Sequence, residues 1–270
     1  MRFVSFASSS KGNCALVSYK NTNILVDCGI SRKRIVNYLS EYGLTLKDID
    51  CILLTHSHTD HTSGLPMVLK YDDMKIMGLK ETLTSVVDML DKTGIKANLS
   101  NFKIVHPLNV LNENVYIKIK DISVFPLKGC HDVPSLFYKF ILGDQKIAIL
   151  TDMGRYNEYV IRSLNDVDYM MLECNYDEDM LMDSDRTEEL KARIAGPGGH
   201  LSNKECCEII DELSKHNLKE VYLSHISDET NSEDYAYEYV SKYFQDKNAP
   251  IIKVTKRLEL TEFFNSQCEF

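Results

Sequence analysis

With 270 residues, 44% hydrophobic and 26% charged, the chain has the composition of a globular protein with a large core, which excludes a disordered, fibrous or disulfide-stapled chain. A net charge of −9 argues against a broad basic face for nucleic acid, although divalent cations held at one site would reverse the field locally. The opening apolar run Met1–Ala7 is too short for a signal peptide, and no stretch nears the roughly 20 apolar residues of a membrane span, so a cytoplasmic protein without membrane contact is expected.

Taken in chain order, Phe3–Phe6, Ala15–Tyr19 and Asn23–Asp27 read as strands, and Arg32–Glu41 reads as a helix with Ile35, Tyr38 and Leu39 on one face. Cys51–Leu54 is a short buried strand, Leu65–Lys70 a short helix, Lys75–Gly78 a strand and Glu81–Thr93 a helix. The middle is β-rich: Val115–Ile119, Ile122–Pro126, Leu136–Leu142 and Lys146–Leu150, the last two joined by a Gly143-Asp144 hairpin turn. A helix at Asn157–Leu164, a strand at Tyr169–Glu173 and a polar helical stretch over Asp177–Arg193 follow. Asn203–Lys215 is a helix, Glu220–Ser224 a strand and Ser232–Phe244 a helix; Ile251–Thr255 and Leu258–Thr261 close the chain as a hairpin. Strands with helices in both halves and no linker predict two sheets packed face to face with helices outside, in one domain over residues 1–270. The eight cysteines form no Cys-x-x-Cys pair and mostly sit in apolar runs, as small buried hydrophobes do.

The chemistry concentrates in Thr55-His56-Ser57-His58-Thr59-Asp60-His61, directly after a buried strand. Imidazole nitrogens and carboxylate oxygens are the preferred ligands of hydrolytic zinc, and a loop leaving a rigid strand lets His56 and His58 share one metal while Asp60 and His61 reach a second. A polar surface loop is the bland alternative, and four ligand-type residues this dense count against it.

The His-x-His-x-Asp-His pattern resembles that of the metallo-β-lactamase superfamily. The resemblance implies an α/β (α+β) four-layer αββα sandwich and three further ligands at strand ends, which the sequence supplies in order as His131, Asp152 and His225. Singly, each fits an ordinary polar residue after a strand, or an N-cap for Asp152; the ordered set favours ligands. By resemblance His56, His58 and His131 hold one metal, Asp60, His61 and His225 the second, and Asp152 bridges them. Such a pair, zinc or alternatively manganese, acidifies a bridging water to a hydroxide that Asp60 orients. Thr55 and Asp132 are candidates for holding the imidazoles in one tautomer.

His200, in Gly198-Gly199-His200-Leu201-Ser202-Asn203, opens a helix after a Gly-rich approach, where free N–H groups suit phosphate; it is read as a catalytic proton donor, against the alternative that Ser202 is simply an N-cap. Phe6–Asn13, Glu173–Asp177, Gly199–Asn203 and Leu223–Ser227 resemble the motifs of YycJ/WalJ-type proteins over nearly the whole chain, with ribonuclease Z as a more distant relation. That resemblance implies a nucleic-acid phosphodiesterase, DNA before RNA, acting as a 5′-to-3′ exonuclease. Tyr176 departs from the group's usual histidine and puts a proton-transfer role there in doubt. The Ser8–Asn13 loop is either a substrate-side loop or a plain turn, and Glu173 either a partner of the ligands or a structural strand-end residue. Arg32-Lys33-Arg34, Lys128, Arg155, Lys191, Arg193 and Lys204 are candidate phosphate contacts with none singled out. The competing readings are a small-molecule metallo-hydrolase (thioesterase, lactonase or cyclic phosphodiesterase) and a non-catalytic scaffold on the same fold, the latter disfavoured because all seven ligand positions are kept.

Overall fold

The computed structural model describes residues 1–108, 116–257 and 259–265. Strands β1 (Arg2–Ser9), β2 (Gly12–Tyr19), β3 (Thr22–Val26), β4 (Cys51–Leu53), β5 (Ile76–Gly78) and β6 (Phe102–Ile104) precede β7 (Ile117–Ile119), β8 (Ile122–Lys128), β9 (Leu136–Leu142), β10 (Gln145–Leu150), β11 (Tyr169–Glu173), β12 (Glu220–Ser224), β13 (Ile251–Val254) and β14 (Thr261–Asn265). They form two seven-stranded sheets, ordered β14-β1-β2-β3-β4-β5-β6 and β13-β12-β11-β10-β9-β8-β7. Helices α1 (Arg32–Glu41), α2 (Thr59–Thr62), α3 (Leu65–Tyr71), α4 (Lys80–Thr93), α5 (Glu158–Leu164), α6 (Glu178–Asp183), α7 (Glu188–Ile194), α8 (Asn203–Ser214) and α9 (Glu233–Tyr243) fill the connections.

The period-2 pattern of the strands sorts their side chains into layers. Ala15, Val17, Ile147 and Ile149 enter an inter-sheet core with Tyr138, Phe140 and Tyr222. Their neighbours point outward: Cys14 and Leu16 pack under α1, α3 and α4 with Ile35, Val68 and Val86, while Ala148 and Leu150 pack under α5, α8 and α9 with Val160, Ile210 and Val240. The result is the expected four-layer αββα sandwich. No helix among the described residues is long and apolar enough to cross a membrane.

Helix ends follow local chemistry. Ser31 caps α1 and Asn157 caps α5 through their side chains, and α4 ends on Gly94, whose φ of 68° only glycine adopts without strain. The polar stretch over Asp177–Arg193 is two helices rather than one, because Asp177 accepts from the first turn of α6 and Thr187 from that of α7, so the chain restarts ten residues on. The expected closing hairpin does not form: β13 runs parallel to β12 in the second sheet, whereas β14 pairs antiparallel with β1 in the first. The second strand is also displaced, beginning at Thr261 where the expected one ended, and β13 and β14 each complete a different sheet edge. Strand β6, with no fully buried side chain, lacks the apolar run that marked β4 and β5, and Val115, Leu258 and Cys268 lie outside the described residues. Six cysteines are buried as expected and Cys130 is exposed.

Tyr138 joins the core to the end of β4: its buried hydroxyl donates to the Leu54 carbonyl at 2.7 Å. Tyr138→Phe would leave that carbonyl unpaired, and urea unfolding should show a loss of about 1–3 kcal/mol with an unchanged slope.

Candidate metal centre

Parallel pairing of β3 with β4, and of β10, β11 and β12 with one another, sends their carboxyl ends to the same rim of the sandwich. There β3 delivers Asp27, β4 Thr55 and His56, β10 Asp152, β11 Glu173 and β12 His225. Asp27, Asp152 and His225 have φ of 62°, 56° and 51°, a left-handed region that costs a non-glycine residue about 1–3 kcal/mol. The strand-end backbone thus turns sharply where these side chains enter the centre. His58 caps α2, which carries Asp60 and His61; the β8–β9 loop supplies His131 and Asp132.

All seven residues expected as ligands converge. His58 Nδ1 lies 3.1 Å from His56 Nε2 and 3.3 Å from His131 Nε2, giving one three-imidazole cluster. Asp60, His61 and His225 form a second, with His61 Nε2 and His225 Nε2 at 3.4 and 3.6 Å from Asp60 Oδ2. Asp152 stands between them, 3.0 Å from His61 Nε2, 3.5 Å from His225 Nε2 and 3.9 Å from His131 Nε2.

Each imidazole is turned by a partner on its other nitrogen. His56 Nδ1 donates to Thr55 Oγ1 (3.0 Å), whose own hydroxyl donates to Asp27 Oδ2 (2.9 Å). His61 Nδ1 donates to Asp27 Oδ2 (2.8 Å), His131 Nδ1 to the Gly199 carbonyl (2.9 Å) and His225 Nδ1 to Glu173 Oε1 (2.8 Å). His58 Nε2 lies 3.3 Å from Asp132 Oδ1. A hydrogen-bonded N–H fixes the tautomer and leaves the opposite nitrogen as a lone pair aimed at the centre. Thr55 and Asp132 were legible as partners; Asp27, the most connected of them, was not singled out. Its one signal is a carboxylate ending the apolar run Ile24-Leu25-Val26.

Electrostatics sharpen the picture. Burial, then neighbouring His61, hold the His56 imidazole well below the ordinary histidine value, and burial with His131 lowers that of His58. Burial also presses His61 and His225 toward neutrality, but Asp152 and the surrounding carboxylates outweigh it, holding His61 well up and raising His225 to about 10. Burial opposes ionisation of Asp152, Asp60 and Glu173, yet the facing imidazoles keep all three below the usual carboxylate range. Without a cation the carboxylates draw protons onto histidine; a divalent ion answers the same demand and displaces those protons.

The residues fit such an ion. Among the described residues His225 Nε2 and Asp152 Oδ2 are buried and find no well-aligned hydrogen-bond partner, although His61 Nε2 lies 3.0 Å from Asp152. Lone-pair atoms gathered this closely and left unpaired are costly in a dry site and are what a cation would satisfy.

The centre opens into a cleft of about 590 Å³ bounded by Ser10, Asp60, His200 and the α7 side chains Leu190, Arg193 and Ile194. His200 Nδ1 lies 2.8 Å from Glu173 Oε1, so one carboxylate serves both His200 and His225. Glu173 is fully buried, with Oε2 accepting from the backbone N–H of Met153 and Leu201, which makes it a partner of the site as well as a structural brace. The Ser8–Asn13 segment also reaches the centre: Asn13 Nδ2 lies 3.2 Å from Asp60 Oδ2 and 3.0 Å from His61 Nε2, and Ser8 Oγ accepts from His225 N.

One expectation is corrected here. The α8 N-terminus is not an open anion cradle: Ser202 and Glu205 form a capping box that occupies its donors and adds a negative charge, so His200 lines the cleft while Ser202 is an N-cap. Tyr176 does not line the cleft but is buried with Leu181 and Ile194, so it packs rather than facing substrate. Of the candidate basic residues Arg193 lines the cleft, joined by Arg186, which sequence reasoning missed; Arg32 is engaged by Asp72. His106 and His216 are exposed and stand apart from the clusters.

The chain belongs to the β-lactamase superfamily, whose domain model matches residues 22–226. It is 27% identical to "Exodeoxyribonuclease WalJ" of Streptococcus pneumoniae serotype 2, over 86% of this chain and 83% of that one. It is 24% identical to "Exodeoxyribonuclease YycJ" of Bacillus anthracis, over 92% and 90%. Among solved structures, unliganded yeast PDE1 superposes with a TM-score of 0.70 at 16% identity, covering 98% of this chain and 100% of that one. The metallo-β-lactamase fold protein YhfI of Bacillus subtilis gives 0.67 at 16%, covering 97% and 100%. The chain is thus a hydrolase of the metallo-β-lactamase fold, and that fold implies use of divalent metal.

Two outcomes follow from the packing of this centre. A Cβ at Gly29 would stand 1.6 Å from the Asp60 carbonyl oxygen, so Gly29→Ala must displace α2. Chemical denaturation should show a loss of about 3 kcal/mol or more, the upper end for overpacking, and metal analysis a reduced content. Asp27→Asn removes the charge behind His61 and the Thr55 hydroxyl, and chelator competition should show metal binding weakened roughly 10- to 100-fold.

Proposed function

We propose that this hydrolase cleaves phosphodiester bonds in nucleic acid, DNA before RNA, as a 5′-to-3′ exonuclease working with two divalent ions, zinc or manganese. The observation that carries the reading is the set of overlapping His and carboxylate groups around Asp152, with His200 on the cleft wall and within reach of one of them. The two exodeoxyribonucleases that align over most of the chain support the choice of substrate. The inter-sheet core, built from both sheets, supports one domain across the chain.

His56, His58 and His131 would hold one ion, Asp60, His61 and His225 the other, and Asp152 both. When bound, such ions supply Lewis-acid polarisation, charge neutralisation and a more acidic water. Asp60, kept ionised by its imidazole neighbours, accepts a hydrogen bond from the attacking water and aligns it with phosphorus. Arg193 and Arg186 on the cleft wall offer donors to the phosphate oxygens, in exchange for Asp132 and Glu229. As the water oxygen bonds to phosphorus it loses a proton through Asp60 to solvent, the ester P–O bond breaks, and His200 gives its Nε2 proton to the departing oxygen and is then reprotonated from solvent. Glu173, accepting from His200 Nδ1, stabilises the imidazolium before that transfer.

Digestion of 5′- and 3′-labelled single- and double-stranded DNA and RNA with Zn²⁺ or Mn²⁺ tests this reading, and mononucleotides should leave DNA from the 5′ end. Turnover confined to thioesters or lactones would overturn it. His200→Ala should retain metal and lower kcat on DNA about 10²- to 10⁴-fold, with a smaller loss on bis-nitrophenyl phosphate, whose leaving group needs no proton.

A further inference from the structure

A second depression begins where the cleft ends. His131 and Asp132 line the cleft on one side and a groove of about 1300 Å³ on the other, so the two adjoin at these residues. The groove runs between the start of α4, the segment after β6 and the β8–β9 loop. Its surface is mainly apolar, with Leu79, Ile104, Pro107 and Pro134 along it, and Ile104 is 52% exposed to solvent. Lys80 and Lys128 stand on it, exposed and without an ion pair among the described residues. The carboxylates there are Glu81 and Asp132, and Asp132 lies against His58 and His131 as well as Arg193.

Unpaired cations beside exposed apolar surface are unusual company on a chain of net charge −9, and they match one kind of occupant. A duplex shows a protein phosphates and groove edges, with its base faces stacked away. A single strand offers phosphates to cations and unstacked bases to apolar side chains at once. The geometry points to this groove as the track of a single-stranded nucleic acid, holding the nucleotides beyond the scissile bond, with Lys80 and Lys128 on the phosphates. This rests on the phosphodiesterase reading above and adds which surface, outside the reacting atoms, selects a polymer over a dinucleotide. The groove makes KM fall with oligonucleotide length, while kcat stays with the metal centre.

The test is KM against length, from dinucleotide to decamer single-stranded DNA, for wild type, for Lys80→Ala with Lys128→Ala, and for Lys47→Ala with Lys92→Ala as a control of equal charge elsewhere. The groove variant should raise KM for the longer strands about 10-fold or more and flatten the length dependence, with dinucleotide turnover unchanged. Its log–log salt slope should shrink by about 0.7 per lost phosphate contact. The control should behave as wild type. Length dependence and salt slope left intact in the groove variant, with DNA still cleaved, would overturn the track alone. Failure of wild type to cleave any oligonucleotide would overturn it together with the reading it rests on.

Discussion

A buried carboxylate must be met by positive charge, and Asp152 imposes that demand on the structure around it. It is 2% exposed, sits at a left-handed turn off β10, and reaches imidazoles from three separate stretches of chain. Ionising a carboxylate there against desolvation is unfavourable unless cations gather about it. His61 and His225 are drawn toward protonation by that demand. A divalent ion meets it with less crowding of donors, which is why this cluster reads as a metal centre and not as a structural ion-pair network.

The fold's contribution is to aim the side chains proposed as ligands. Strands β10, β11 and β12 are parallel neighbours, so Asp152, Glu173 and His225 emerge side by side on one rim, while β3 and β4 bring Asp27, Thr55 and His56 from the facing sheet. Two buried carboxylates then organise the rings. Asp27 fixes His61 and, through Thr55, His56; Glu173 fixes His225 and His200. Glu173 therefore joins a proposed ligand to the proposed proton donor through the shared oxygen Oε1. Asp132 plays a comparable part at the cleft's edge, lying against His58 and His131 on one oxygen and Arg193 on the other. Substrate contact with Arg193 would thus be made next to the first ligand cluster.

Much was legible in the chain itself. Three histidines and an aspartate within six residues after an apolar strand leave little room for a bland account, and period-2 runs revealed most strands. Where the reading failed, distance in sequence was the cause. The closing segments look like a hairpin because they are adjacent, yet β1 and β12 claim them for opposite sheets. Tyr176 sits next to Asn175, a residue that touches His225, yet its own side chain turns into a satellite core with Leu181 and Ile194.

The sequence by itself determined which atoms are available: seven imidazoles and carboxylates of ligand type, most of them placed just beyond strand ends, and a hydrophobic rhythm that can only be buried in layers. Tertiary structure alone decided which ring nitrogen faces inward and which cleft wall lies opposite. An imidazole's orientation is set by the hydrogen bond on its far side, and for His61 and His225 that partner stands 34 and 52 residues away. Such partners meet only when the parallel strands have fixed their register, a long-range constraint that no local pattern of residues encodes.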